Sequence, residues 1–135
     1  MAELVIRFSK YWVDFSGRSN YHSRYYAFGR MVDSMALSFR VEGDVFVVEI
    51  SGEIDHHSAA DLKERISREY ERASVKDMEL ELSGVTFMDS SGVGMIIGRF
   101  KEAQKRGGSL SATGMSNELE RLFELSGLHK IITIR

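Results

Sequence analysis

From Leu37 onward the apolar residues switch repeatedly between a period of two and a period of three to four, and this limits the chain to a few folds. Leu37, Phe39 and Val41 alternate with Ser38, Arg40 and Glu42, the pattern of a half-buried strand. Gly43-Asp44 offers a turn, and Val45 to Ile50 reads as a second, more buried strand, so the two are expected as a hairpin that Ser51-Gly52 ends. A helix is predicted at about 58–73, with Ala59, Leu62, Ile66 and Tyr70 on one stripe and Ser58 to Asp61 resembling a capping box. Met78, Leu80 and Leu82 mark a third strand. The second helix, about 90–106, carries Val93, Ile96, Ile97, Phe100 and Ala103 on its apolar side and stops at Gly107-Gly108. Leu110 and Ala112 mark a short strand; Ser116 caps a third helix ended by Gly127; Ile131, Ile132 and Ile134 form the last strand. Strands alternating with helices imply parallel neighbours joined by crossovers, after one antiparallel pair. The expected fold is α/β: a mixed, mostly parallel sheet of about five strands, with three helices covering mainly one face.

Residues 1–30 are different. They hold five Lys/Arg against two Asp/Glu, leaving 13 against 18 for the remainder, and eight aromatics without a sustained period. Met31 and Met35 stand just before the first clean strand, so the stretch reads as a leader, with a docking arm as the alternative. The expected division is an aromatic, basic extension at 1–34, poorly ordered unless it docks, and one domain at 35–135.

A net charge of -2 argues against a dedicated nucleic-acid binder. The chain has no cysteine, which excludes disulfides and thiolate chemistry and fits a reducing cytoplasm. No apolar run approaches the ~20 residues that span a bilayer.

The stretch Phe87-Met88-Asp89-Ser90-Ser91-Gly92-Val93-Gly94 runs a strand into two serines where a helix must begin. Backbone N–H groups without partners and the helix dipole favour negative charge there, so a phosphate on such a serine is tolerated; equally, Asp89 or Ser90 caps the helix. As a nucleophile Ser91 misses the G-x-S-x-G elbow, because Gly92 and Gly94 both follow it. Asp55, His56 and His57 invite a metal reading, but neighbouring histidines do not easily reach one ion and no further ligand is spaced nearby; polar loop residues are the simpler account. Gly92, Gly94 and Gly98 each weaken a helix by about 1 kcal/mol relative to alanine, so they need a reason, either close packing or room for a partner. Arg99, Lys101, Glu102, Lys105 and Arg106 read as the solvated side of that helix.

Three ordered motifs, Gly52-Glu53-Ile54-Asp55-His56-His57, the octet above, and Leu122-Phe123-Glu124-Leu125-Ser126-Gly127-Leu128, resemble the bacterial anti-sigma factor antagonists of the STAS fold. Ile97-Gly98-Arg99-Phe100-Lys101 is especially similar to the sporulation type. The resemblance covers about residues 35–135 and implies a regulatory switch with no catalytic residue, metal or cofactor. It implies phosphorylation of Ser91, the second serine of D-S-S-G, by an anti-sigma factor serine kinase, and dephosphorylation by a metal-dependent serine phosphatase. Asp89, Ser90, Gly92 and Gly94 are then expected beside the phosphosite, and Glu53, Asp55 and His56 against the kinase. A monomer or weak homodimer is expected. Relatives often continue into another helical segment after the last strand, so part of the sheet or the third helix is expected to be uncovered. The alternative is a STAS scaffold that binds a protein or small ligand without the phosphoswitch.

Overall fold

The computed structural model describes residues 35–135 and, ahead of them, the backbone of three short strands: β1 (Val5–Phe8), β2 (Tyr11–Asp14) and β3 (Arg30–Val32). Then follow β4 (Met35–Glu42), β5 (Val45–Ile54), α1 (Ala59–Ala73), β6 (Asp77–Met88), α2 (Ser90–Lys105) and β7 (Leu110–Thr113). The chain closes with α3 (Asn117–Ser126), a 3-10 turn at Leu128–Lys130 and β8 (Thr133–Ile134). All eight strands lie in one sheet in chain order. Neighbours from β1 to β5 are antiparallel, and those from β5 to β8 are parallel. The expected five-stranded mixed sheet is β4–β8, opened by the β4–β5 hairpin. The expectation of poor order concerns residues 1–34, of which only the backbone of β1, β2 and β3 is described.

Register explains why one face of this sheet is apolar. Phe39, Val48, Leu80, Ala112 and Ile134 are successive cross-strand partners. They join Leu62 and Ile66 of α1, Ile96 and Ala103 of α2 and Phe123 of α3 in one core. Each of the larger of these side chains, once fully buried, contributes about 1.5–3 kcal/mol. One residue along, the partners are Arg40, Val47, Glu79, Ser111 and Thr133, which side-chain alternation places on the opposite face. There Arg40 pairs with Glu49 and, at 2.6 Å, with Glu42, while Arg135 lies 3.2 Å from Glu79. Helices therefore cover one face, as the alternating pattern predicts.

At one end of the core Phe46 lies between Phe39 and Tyr70, with ring centroids 5.7 Å apart in both pairs. The Tyr70 hydroxyl donates to the Lys76 carbonyl, and burial pushes its pKa up. Arg106 sits 4.0 Å over the Tyr70 ring and donates to the carbonyls of Tyr70 at 2.9 Å and Val75 at 3.2 Å. A cation thus satisfies carbonyls at the end of α1 that the helix itself leaves unpaired.

Several boundaries differ from the sequence reading. β5 passes through Ser51-Gly52 and ends at Ile54, and β6 continues past Leu82 to Met88. The two strands pair along this extra length with register shifts at Glu49/Ser51 and Gly52/Glu53, and such irregularities break the alternation by which a strand is recognised. Gly84 makes the close approach possible, since a Cβ there would stand 2.5 Å from the Cβ of Ser51. β8 is shorter than expected: Ile131 lies in the turn after α3, 40% exposed, while Ile132 is buried. Ser58 forms no side-chain cap on α1, so the capping box is absent. α2 is also turned relative to its apolar stripe. It buries Gly92, Met95, Ile96, Arg99 and Ala103, leaving Val93, Ile97 and Phe100 partly buried. Arg99, expected in solvent, is only 3% exposed and pairs with Glu102, which also accepts from Ser67 of α1 at 2.8 Å.

Candidate functional site

Parallel β5, β6 and β7 end on the same edge of the sheet, and the segments leaving that edge carry most of the polar motif residues. α2 starts there because Asp89 caps it. Its backbone is extended (φ -107°, ψ -172°), and its Oδ1 accepts from the N–H of Ser91 at 2.8 Å and of Gly92 at 3.3 Å. The sequence left open whether Asp89 or Ser90 is the cap; Ser90 is instead the first helical residue and is exposed. Ser91 follows, half-buried, and no described residue hydrogen-bonds its hydroxyl through a side chain. Two of the N–H groups expected to face outward are therefore already occupied by a carboxylate. Replacing Asp89 with Ala is expected to remove about 1 kcal/mol of stability, read as a lower unfolding midpoint.

The glycines of α2 divide in two. Gly92 is buried, and a Cβ on it would lie 2.5 Å from Met88 Cγ and 3.0 Å from Ile54 Cγ2. Close packing of α2 against Ile54 and Met88 is thus the reason for this glycine, the first of the two that its sequence position allowed. Gly94 is exposed, and neither it nor Gly98 has anything within 4 Å of a built Cβ. Those two leave open space along the helix.

The β5–α1 turn meets this start. Glu53 pairs in register with Phe87, Ile54 with Met88, and the Asp89 N–H donates to the Ile54 carbonyl at 3.2 Å. Asp55 Oδ1 accepts from the N–H of His57 at 2.9 Å and of Ser58 at 3.1 Å, and the Ser58 hydroxyl accepts from the Asp55 N–H at 3.0 Å. Hydrogen bonding, that of Ser58 first, holds the Asp55 carboxyl below its ordinary pKa. A carboxylate depressed on folding stabilises above its unfolded pKa and loses that contribution as pH falls through its folded value. The gap in urea midpoint between wild type and Asp55→Asn is thus expected to be widest near neutrality and to close below about pH 4.

The rings of His56 and His57 are both exposed, with centroids 3.9 Å apart, because the chain turns here instead of alternating as a strand. Among the described residues no group of three His, Asp or Glu is placed to hold a metal ion, and no helix is long and apolar enough to cross a membrane. The structure thus sets the turn that carries Glu53, Asp55 and His56 beside the Asp89 cap, from which α2 continues through Ser90, Ser91 and Gly94. The third motif stays apart: it is the end of α3, with Phe123 and Leu128 buried in the core. Sequence patterning missed Phe87, which is 51% exposed on this edge; alternation across Phe87-Met88 was the available signal, hidden by the irregular strand.

The STAS domain profile matches residues 36–135. An anti-sigma F factor antagonist of Paenibacillus polymyxa is 36% identical over 90 residues, which are 67% of this chain and 77% of that protein. An anti-sigma-B factor antagonist of Bacillus subtilis (strain 168) is 42% identical over 87 residues, 64% of this chain and 78% of that one. The phosphorylated form of the Bacillus cell fate determinant SpoIIAA superposes with a TM-score of 0.55 at 25% identity, covering 82% of this chain and 91% of that chain. With a profile spanning the whole β4–β8 domain and relatives of this similarity, the chain belongs to the STAS domain family, among the bacterial anti-sigma factor antagonists.

Proposed function

We propose that this protein is a partner-switching antagonist whose switch is the hydroxyl of Ser91. Unphosphorylated, it binds an anti-sigma factor serine kinase through the edge formed by Glu53, Asp55, His56, Asp89, Ser90 and Gly94, and the kinase releases its sigma factor. The kinase then transfers the γ-phosphoryl of ATP to Ser91 Oγ, ADP leaves, and the modified protein no longer binds. A metal-dependent serine phosphatase restores the hydroxyl. The setting is cytoplasmic, the working unit is residues 35–135 as a monomer or weak homodimer, and residues 1–34 are an extension to it.

The observation that carries this reading is the position of Ser91: the second residue of α2, partly exposed, on the edge that also holds the β5–α1 turn. Support comes from a similar fold seen in phosphorylated form. A phosphate adds about -1.5 to -2 charge at pH 7. The dipole of α2 favours it, while the Asp89 carboxylate opposes it, so the fold itself is neither strongly stabilised nor broken. The test is incubation with purified anti-sigma factor kinase, ATP and Mg2+, followed by mass spectrometry. One phosphate on Ser91 is expected. None, or one elsewhere, overturns the reading and leaves the alternative of a STAS interaction module without the switch.

A further inference from the structure

Among the described residues three large apolar side chains stand exposed: Phe87 at 51%, Leu125 at 78% and Ile131 at 40%. Topology separates them. Leu125 lies at the end of α3 and Ile131 in the turn between it and β8, so both are at the edge where the parallel strands begin. Phe87 alone lies where β5 and β6 end, two residues before the cap of α2 and in register with Glu53. Its neighbour Met88 is buried, so the ring is turned away from the helix-covered core. A phenyl ring half exposed beside a polar turn adds little to the core, but it is the kind of group that supplies much of the energy of a protein interface.

We propose that Phe87 is the apolar anchor of the kinase at this edge, an inference that rests on the function proposed above. Charge identifies the complementary surface. Glu53 is paired in register with the ring and Asp55 lies in the turn that follows, so the matching site is an apolar pocket with basic groups on its β5–α1 side, away from Ser91. Gly94 leaves the neighbouring turn of α2 bare, so no side chain of that turn stands between the kinase and the ring's edge of the sheet.

The experiment measures affinity for the purified anti-sigma factor kinase, with adenine nucleotide bound, for wild type, Phe87→Ala, Phe87→Tyr and Leu125→Ala. Phe87→Ala is expected to weaken binding by roughly tenfold or more, and to raise KM for phosphorylation with little change in kcat. Phe87→Tyr keeps the ring and is expected to bind nearly as wild type; Leu125→Ala, on the far edge, is expected to bind as wild type. Unfolding midpoints should match throughout. Wild-type affinity in Phe87→Ala, equal loss in Leu125→Ala, or loss that tracks a lowered midpoint would overturn the inference and leave the Ser91 switch standing. Failure of the wild type to bind the kinase would instead sink the Ser91 switch and this inference with it.

Discussion

Ser91→Ala is expected to bind the kinase as tightly as the unmodified protein, whereas the phosphorylated form, and to a lesser degree Ser91→Asp, is expected to lose two to three orders of magnitude in affinity. The size follows from desolvation. In the free protein a phosphate at the start of α2 keeps its water, gains from the helix dipole and is opposed by the Asp89 carboxylate. In the complex that water must be removed, and a charge of about -2 is unpaired unless the kinase supplies cations to meet it. A loss of about 3–4 kcal/mol is the measure of that difference, and each 1.4 kcal/mol is tenfold in affinity. Titration calorimetry on the separated forms reads it directly. Equal affinity of Ser91→Ala and the phosphorylated protein would show that charge at this hydroxyl does not control the contact. Unfolding midpoints within a few degrees of each other would show that the switch acts at the surface and not through the fold.

The second large effect concerns stability. Phe46→Ala is expected to destabilise the domain by about 3–5 kcal/mol, because it removes a fully buried ring that touches two others and leaves a cavity that β4, β5 and α1 cannot close. Against a typical domain stability of about 5–15 kcal/mol this is a major fraction, and for a domain of this length it corresponds to a fall of roughly 10 °C or more in the unfolding midpoint. A fall of only a degree or two would mean that Tyr70 and Phe39 repack across the gap. The Tyr70 hydroxyl, bonded to the Lys76 carbonyl, and Arg106, stacked on its ring, hold that residue in place and argue against such repacking.

Much of the fold was legible in the chain because its elements announce themselves locally. The β4–β5 hairpin follows from alternation on either side of Gly43-Asp44, and α3 from Ser116 and Gly127, whose cap and left-handed conformation are both present. What escaped was whatever depends on neighbours. β5 and β6 extend past their readable patterns because each continues to pair with the other through two register shifts. α2 turns a different side inward because Gly92 allows it to settle against Ile54 and Met88, and this carries Arg99 into the interior. The Ser58 capping box failed because its hydroxyl is engaged with the Asp55 N–H and the Glu53 carbonyl, while Asp55 takes the N–H groups of the turn.

The candidate site shows the same division. Residue types and spacing determined that Asp89-Ser90-Ser91 stands at a helix start, since capping is a matter of a few consecutive residues. That Glu53–His57 lies beside it, and that Phe87 faces outward between them, was decided only when two strands some 35 residues apart in sequence came into parallel register. Local hydrogen bonds are written in adjacent residues; which edges meet is set by burying an apolar face shared by the whole sheet, and no short window of sequence contains it.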